Sequence, residues 1–200
     1  MLRLLERFGI RDPRVLEAMA RVPREEFVAS ADRDAAYGDH ALAIGEGQTI
    51  SQPYVVARMT ELLAPQPEHR VLEVGTGSGY QAAVLAELAR EVISIERHGA
   101  LAEAARDRLG RLGYQNVRVF HADASLGHPA EAPYDRILIT AATPRIDPAL
   151  AQQLTADGRI VAPVGDLDLQ ELVVRDALGR EERHGPVRFV PLRGQAGFRG

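Results

Sequence analysis

An acid and three glycines crowd into one short stretch, Glu73 with Gly75, Gly77 and Gly79, inside Arg70-Val71-Leu72-Glu73-Val74-Gly75-Thr76-Gly77-Ser78-Gly79-Tyr80. Glycines at those positions let the backbone turn sharply and let a ligand come close to main-chain atoms, and a following helix offers free N–H groups. A dinucleotide loop needs G-x-G-x-x-G, but the spacing here is G-x-G-x-G, with Tyr80 where the third glycine belongs. Glu73 stands two residues before the first glycine, where a carboxylate suits a cationic group better than a phosphate. The ligand expected at this end is therefore neutral or cationic. Glu96 ends a second apolar run, Val92-Ile93-Ser94-Ile95, 21 residues beyond Gly75. An acid at that strand tip can accept hydrogen bonds from ribose hydroxyls, which points to a nucleoside ligand. Ser51, just before Pro53, occupies the position of a helix N-cap, a role worth about 1 kcal/mol.

Other chemistries are disfavoured. The chain has no cysteine, which removes disulfides, thiolate zinc sites and cysteine nucleophiles. Histidines 40, 69, 98, 121, 128 and 184 lack metal-ligand helix spacing, so no metal is expected. Ser78 lacks the G-x-S-x-G setting of a nucleophilic serine.

The elements that must position these residues follow from periodicity. Leu4, Leu5 and Phe8, then Val15, Leu16 and Met19, recur at helical spacing, with Asp12-Pro13 and Val22-Pro23 as starts and stops, so a small helical cap is expected at the N-terminus. Residues 31–47 have no sustained period and read as a long loop. A helix marked by Val55, Met59, Leu62 and Leu63 follows, with Pro53 in its first turn and Ala64-Pro65 at its end. Beyond it, strands at 71–74, 92–96, 117–120, 134–140 and 159–164 alternate with helices at 81–88, 101–112 and 148–154. Two further strands, 169–174 and 187–192, flank the turn-rich Leu178-Gly179-Arg180 without room for a crossover helix, and so form an antiparallel pair. The expected fold is α/β, a doubly wound, mostly parallel seven-stranded sheet with an antiparallel C-terminal hairpin. One domain over 1–200 is expected, with N-terminal helices and an active-site loop in 1–64 and a cofactor-binding core in 65–200.

The E-x-G-x-G-x-G pattern resembles the S-adenosylmethionine loop of class I methyltransferases, in which the acid sits near the methionine amino group. More specifically, the chain is similar to protein-L-isoaspartate O-methyltransferases from about Leu2 to Leu192. The most telling segment is Ala36-Tyr37-Gly38-Asp39 through Ile44-Gly45-Glu46-Gly47-Gln48-Thr49-Ile50-Ser51-Gln52-Pro53-Tyr54. Ala132-Pro133-Tyr134-Asp135, Val164-Gly165 and Val187-Arg188-Phe189-Val190-Pro191-Leu192 support it. The resemblance implies a Rossmann-like sheet whose last strand is inserted antiparallel, S-adenosyl-L-methionine as cofactor, and methylation of the α-carboxylate of L-isoaspartyl residues as the first step of protein repair. It implies that Ser51 is the catalytic residue, orienting the substrate carboxylate. It further implies cofactor contacts from Thr49, Ile50 and Ser51 at the junction with substrate. Glu73, Gly75 and Gly77 would hold the methionine end, Glu96 the ribose, and Asp123 with Ala124 the adenine, with Thr76, Ser78 and Arg97 as further cofactor contacts. On its local setting alone a turn aspartate is the lesser alternative for Asp123. Two residues depart from the family pattern: Ala124 stands where glycine is usual, and Ala43 where bacterial members commonly carry proline. A groove for extended peptide near Val190 to Leu192 is a further implication.

Composition narrows the partners. With 46% hydrophobic residues the 200-residue chain is globular, and a net charge of −4 without a basic block argues against nucleic acid. The tetrapeptide Ala141-Ala142-Thr143-Pro144 also differs from the N-P-P-Y type seen after the fourth strand in many amino-methylating enzymes of nucleic acids. No apolar run is long enough to cross a membrane as a helix, and Met1–Arg7 is too charged for a signal peptide, so a cytoplasmic protein is expected; the sequence does not specify an oligomeric state, and a monomer is the favoured reading. All 24 Lys and Arg positions are arginine and Asn116 is the sole asparagine, habits of a GC-rich genome and of heat adaptation. Three alternatives remain open: a class I methyltransferase acting on RNA or a small molecule, a nicotinamide-dependent oxidoreductase, and a binding module that keeps the loop.

Overall fold

The structure, a computed structural model, describes residues 1–199. Helices α1 (Leu2–Arg7) and α2 (Pro13–Arg21) form the N-terminal cap, and the Asp12 carboxylate accepts from the Arg14 N–H at 2.9 Å, so Asp12-Pro13 starts α2 as the sequence indicates. Two 3-10 turns, Arg24–Phe27 and Ser30–Ala35, lead on. Residues 31–47 are more ordered than a plain loop: β1 (Leu42–Gly45) pairs antiparallel with β2 (Gln48–Ile50). Strands of four and three residues are too short to show a period, which is why the hairpin was not legible. Helix α3 (Pro53–Leu63) follows.

The main sheet has seven strands in the order β5-β4-β3-β6-β7-β8-β9. These are β3 (Arg70–Val74), β4 (Glu91–Glu96), β5 (Val117–His121), β6 (Tyr134–Ile139), β7 (Leu154–Gly165), β8 (Gln170–Asp176) and β9 (Glu181–Val187). Strands β3 to β7 run parallel, and β8 and β9 are antiparallel to their neighbours. Helices α4 (Tyr80–Ala86), α5 (Gly99–Arg111) and the single-turn α6 (Pro148–Ala151) connect them. Alternate residues of each strand bury against opposite layers. Val71, Val92, Leu138 and Val161 pack with Leu5, Val15, Met19 and Leu63 of the cap and α3, while Leu72, Ile93, Ile137 and Ile160 pack with Ile146, Leu150 and Leu192. Both faces are apolar, so the strands read as continuous hydrophobic runs. The N-terminal helices share one apolar cluster with the sheet.

The C-terminal strands depart from expectation. The last strand is not inserted but lies at the sheet edge, because the short 177–180 connection leaves β9 only the position beside β8. In that turn the Asp176 carboxylate accepts from the N–H groups of Leu178 (3.0 Å) and Arg180 (2.9 Å). The strand itself is Glu181–Val187, whose charged start masks it in the sequence, as befits an edge. Residues 188–192 leave the sheet, and Leu192 donates to Ala142 at 2.7 Å.

Candidate active site

Chain order reverses between β4 and β6, which lie on either side of β3, and a cleft opens beyond the carboxyl ends of these strands, the position at which open α/β sheets bind ligands. It encloses about 910 Å³ of empty space, part of it open to solvent. One wall is the β3–α4 turn, with Gly75, Thr76, Gly77 and Ser78; another is Thr49, Ile50 and Ser51 at the end of the small hairpin; Glu96, Arg97 and Ala124 complete a third. Ten of the twelve residues singled out for cofactor contact therefore face one space.

The glycine turn is built for close approach. Gly75 has φ +99°, and a Cβ there would lie 2.4 Å from the Thr140 hydroxyl, which itself donates to the carbonyls of Val74 (2.9 Å) and Gly75 (2.5 Å). Gly77 has φ +52°, and its Cβ would come 3.3 Å from Ile44 Cδ1, so the β1–β2 hairpin lies directly over the turn. Only glycine occupies both positions without strain. The Glu96 carboxylate holds the turn from below, accepting from the Gly77 and His98 N–H groups at 2.9 Å each. Each of its oxygens retains a further lone pair able to accept.

Glu73 and Asp123 are not among the residues lining the cleft. Glu73 is fully buried behind the turn: its Oε2 accepts from the Ser94 hydroxyl, Ser94 and Thr76 hydroxyls lie 2.6 Å apart, and its Oε1 has no partner among the described residues. Burial pushes its carboxyl up to about 8, against the opposing Ser94 hydrogen bond. A carboxylate facing a cationic ligand, the expectation from its position two residues before Gly75, is thus replaced by an acid supporting the turn through Ser94 and Thr76. Asp123 is held by main-chain donors, Ser125 at 2.9 Å and Gln195 at 3.0 Å from the C-terminal segment. Burial raises its pKa, but these donors outweigh that and hold it below the ordinary aspartate range. The neighbouring Ala124 lines the cleft in its place.

Ser51 is not the cap of α3. Gln52 holds the N-cap position without a side-chain bond, and the Asp39 carboxylate, from the loop before the hairpin, accepts from the Tyr54 N–H at 2.8 Å. Ser51 lines the cleft instead, and its carbonyl accepts from the Arg24 guanidinium at 2.7 Å. A second recess shares Thr49, Ser51 and Thr140 with the cleft and adds Gln52, Val55 and Arg188, so space for an acceptor continues from Ser51 past Phe189 and Val190. Sequence reasoning missed Met59, Gln81, His98 and Thr140 as cleft residues. For Thr140 a signal existed, its place at the carboxyl end of β6; Met59 and Gln81 sit within helices, where a lining role looks the same as packing.

The chain matches, over residues 1–197, the family described as protein-L-isoaspartate(D-aspartate) O-methyltransferase. It is 57% identical to a protein-L-isoaspartate O-methyltransferase of Methanoregula boonei, covering 95% of this chain and 89% of that one. With the Methanopyrus kandleri enzyme of the same name it shares 51% identity, covering 98% and 92%. Among solved structures it resembles a Plasmodium falciparum protein assigned as a protein-L-isoaspartate O-methyltransferase, in complex with S-adenosyl-L-homocysteine, with a TM-score of 0.81, 25% identity and 96% of each chain covered.

Proposed function

Because the chain belongs to the protein-L-isoaspartate O-methyltransferase family, we propose that its activity resides where Ser51 and the 75–78 turn face each other across one cleft. The protein methylates L-isoaspartyl residues with S-adenosyl-L-methionine and so initiates their repair. The cleft suits that cofactor: a turn bare of side chains at Gly75 and Gly77, an acid at Glu96, and apolar walls from Met59, Ile95 and Leu192. When bound, the cofactor supplies a sulfonium-activated methyl group. In the proposed arrangement Thr76, Gly77 and Ser78 take its amino-acid end, Glu96 and Arg97 its ribose, and Ala124 its adenine, with Thr49 and Ile50 at the junction with substrate.

The chemistry asks little of the protein beyond alignment. The acceptor carboxyl, with an ordinary pKa near 4, is already ionised at pH 7, so no general base is required. Holding the acceptor in line and excluding water can supply about 7–11 kcal/mol of the barrier. Ser51 fits the orienting role: it lines the cleft and is free of capping duty. It donates a hydrogen bond to the substrate α-carboxylate and forms no covalent bond to it. The chain works as a single methyltransferase domain and a monomer in the cytoplasm in this reading, since one chain supplies every wall named above; light scattering and cell fractionation test both points. No helix among the described residues is long and apolar enough to cross a membrane.

Ser51→Ala should retain cofactor affinity by calorimetry and lose most turnover on an isoaspartyl peptide, about 10²-fold or more for loss of alignment. Full turnover in the folded variant would contradict the role given to Ser51.

A further inference from the structure

Arg24 lies in the first 3-10 turn and is completely buried, the largest fully buried side chain of the protein. Its hydrogen-bonding partners are carbonyls rather than carboxylates. Nε donates to Ala36 O at 2.7 Å and Nη2 to Ser51 O at 2.7 Å, while Nη1 is buried without a partner among the described residues. The guanidinium carbon sits 4.6 Å from the centroid of the Tyr80 ring. One planar group therefore touches the Ala36 loop, the Ser51 main chain, and the first residue of α4, which directly follows the glycine turn.

Such a group is costly. Burial holds the guanidinium below its ordinary pKa, yet arginine stays charged in proteins, and an apolar side chain of similar volume would commonly be no less stable. Its contribution is not attraction of the acceptor. In methyl transfer a carboxylate oxygen bonds to the methyl carbon as the methyl–sulfur bond breaks, leaving a neutral ester and a neutral thioether; both charges vanish, so a cation facing the carboxylate would stabilise the ground state more than the transition state. Arg24 is accordingly absent from the cleft lining, and its charge is directed to protein carbonyls and an aromatic face. What a rigid fork supplies here is geometry.

We propose that Arg24 is a positioning residue for methyl transfer, fixing the Ser51 main chain against the Tyr80 end of the cofactor turn from behind the cleft wall. This rests on the assignment of Ser51 as the residue that orients the acceptor. Displacing that main chain by about 1 Å is enough to cost up to about a hundredfold in rate. Arg24→Lys keeps the charge but loses the fork, and Arg24→Met keeps much of the volume and loses both. In Arg24→Lys, kcat on an isoaspartyl peptide should fall about tenfold or more, while the cofactor dissociation constant by calorimetry stays within about threefold. Placed in a Ser51→Ala background, Arg24→Lys should cost less than about twofold further, because no hydroxyl remains to be positioned. If Arg24→Met does not fold, Arg24→Lys decides the matter. Wild-type turnover in Arg24→Lys, a loss matched by equal loss of cofactor affinity, or the same loss in both backgrounds would overturn the proposal. Ser51→Ala alone separates the two assignments: full turnover there removes the Ser51 role and this inference together, whereas lost turnover there with an active Arg24→Lys removes only this inference.

Discussion

Two carboxylates at the ends of adjacent strands carry opposite duties because their surroundings differ. Glu96 accepts two main-chain N–H groups at the cleft edge, whereas Glu73 has one hydroxyl donor and is fully buried. A carboxyl whose folded pKa is near 8 rather than 4.5 binds its proton more tightly when folded. Between those values the folded state carries the extra proton, so Glu73 makes stability decline as pH rises from about 4.5 to 8 and adds no slope above that. Glu73→Gln preserves the shape and removes the titration. Urea unfolding of the cofactor-free protein at pH 5 and pH 8 should show a smaller stability difference for Glu73→Gln than for the wild type; an unchanged difference would mean that Glu73 is ionised in the folded protein. The sequence showed that an acid belongs at position 73, but not which way it faces: that depends on Ser94, which comes from another strand and looks like filler within an apolar run. Asp123 is the same lesson, since its carboxylate is taken up by Gln195, far along the chain.

At the scale of elements, the cofactor turn and the small hairpin form one unit. Ile44 of β1 lies over Gly77, and β2, which carries Thr49 and Ile50, runs directly into Ser51. Gly77→Val would place a branched side chain at φ +52° and against Ile44. The backbone strain alone is of order 1–3 kcal/mol. Cofactor affinity should fall by at least about tenfold in calorimetry, equivalent to about 1.4 kcal/mol, and the melting temperature should drop; wild-type affinity would show that the turn is not the cofactor's seat. The βαβ core was legible because its signals are long and local: apolar runs buried on both faces, glycines at the turn, amphipathic helices between. The hairpin and β9 were not legible, the first because it is too short to show a period, the second because an edge strand is charged. The true cap of α3 was hidden for a different reason, as Asp39 reaches Tyr54 across the whole hairpin.

For the whole molecule, the cap of α1 and α2, the hairpin and the sheet converge on a single cleft, with Arg24, in the 3-10 turn after the cap, touching Ser51 on one side and Tyr80 on the other. At the opposite ends of the strands, Arg70 and Arg118 each pair with both Glu91 and Glu131, tying β3, β4, β5 and the 3-10 turn before β6 together. Isolated surface pairs contribute little, but networks of this kind gain weight at high temperature, in keeping with the arginine-rich, asparagine-poor composition. The central claim is that this assembly methylates isoaspartyl residues in particular, and the acceptor is the part that cofactor residues do not report. The most direct test is transfer of labelled methyl groups from S-adenosyl-L-methionine to a peptide containing L-isoaspartate, run beside the same peptide with ordinary L-aspartate and scored as base-labile label. Label on the isoaspartyl peptide alone is the predicted result. Equal labelling of both peptides, or of neither while the cofactor binds, would contradict it.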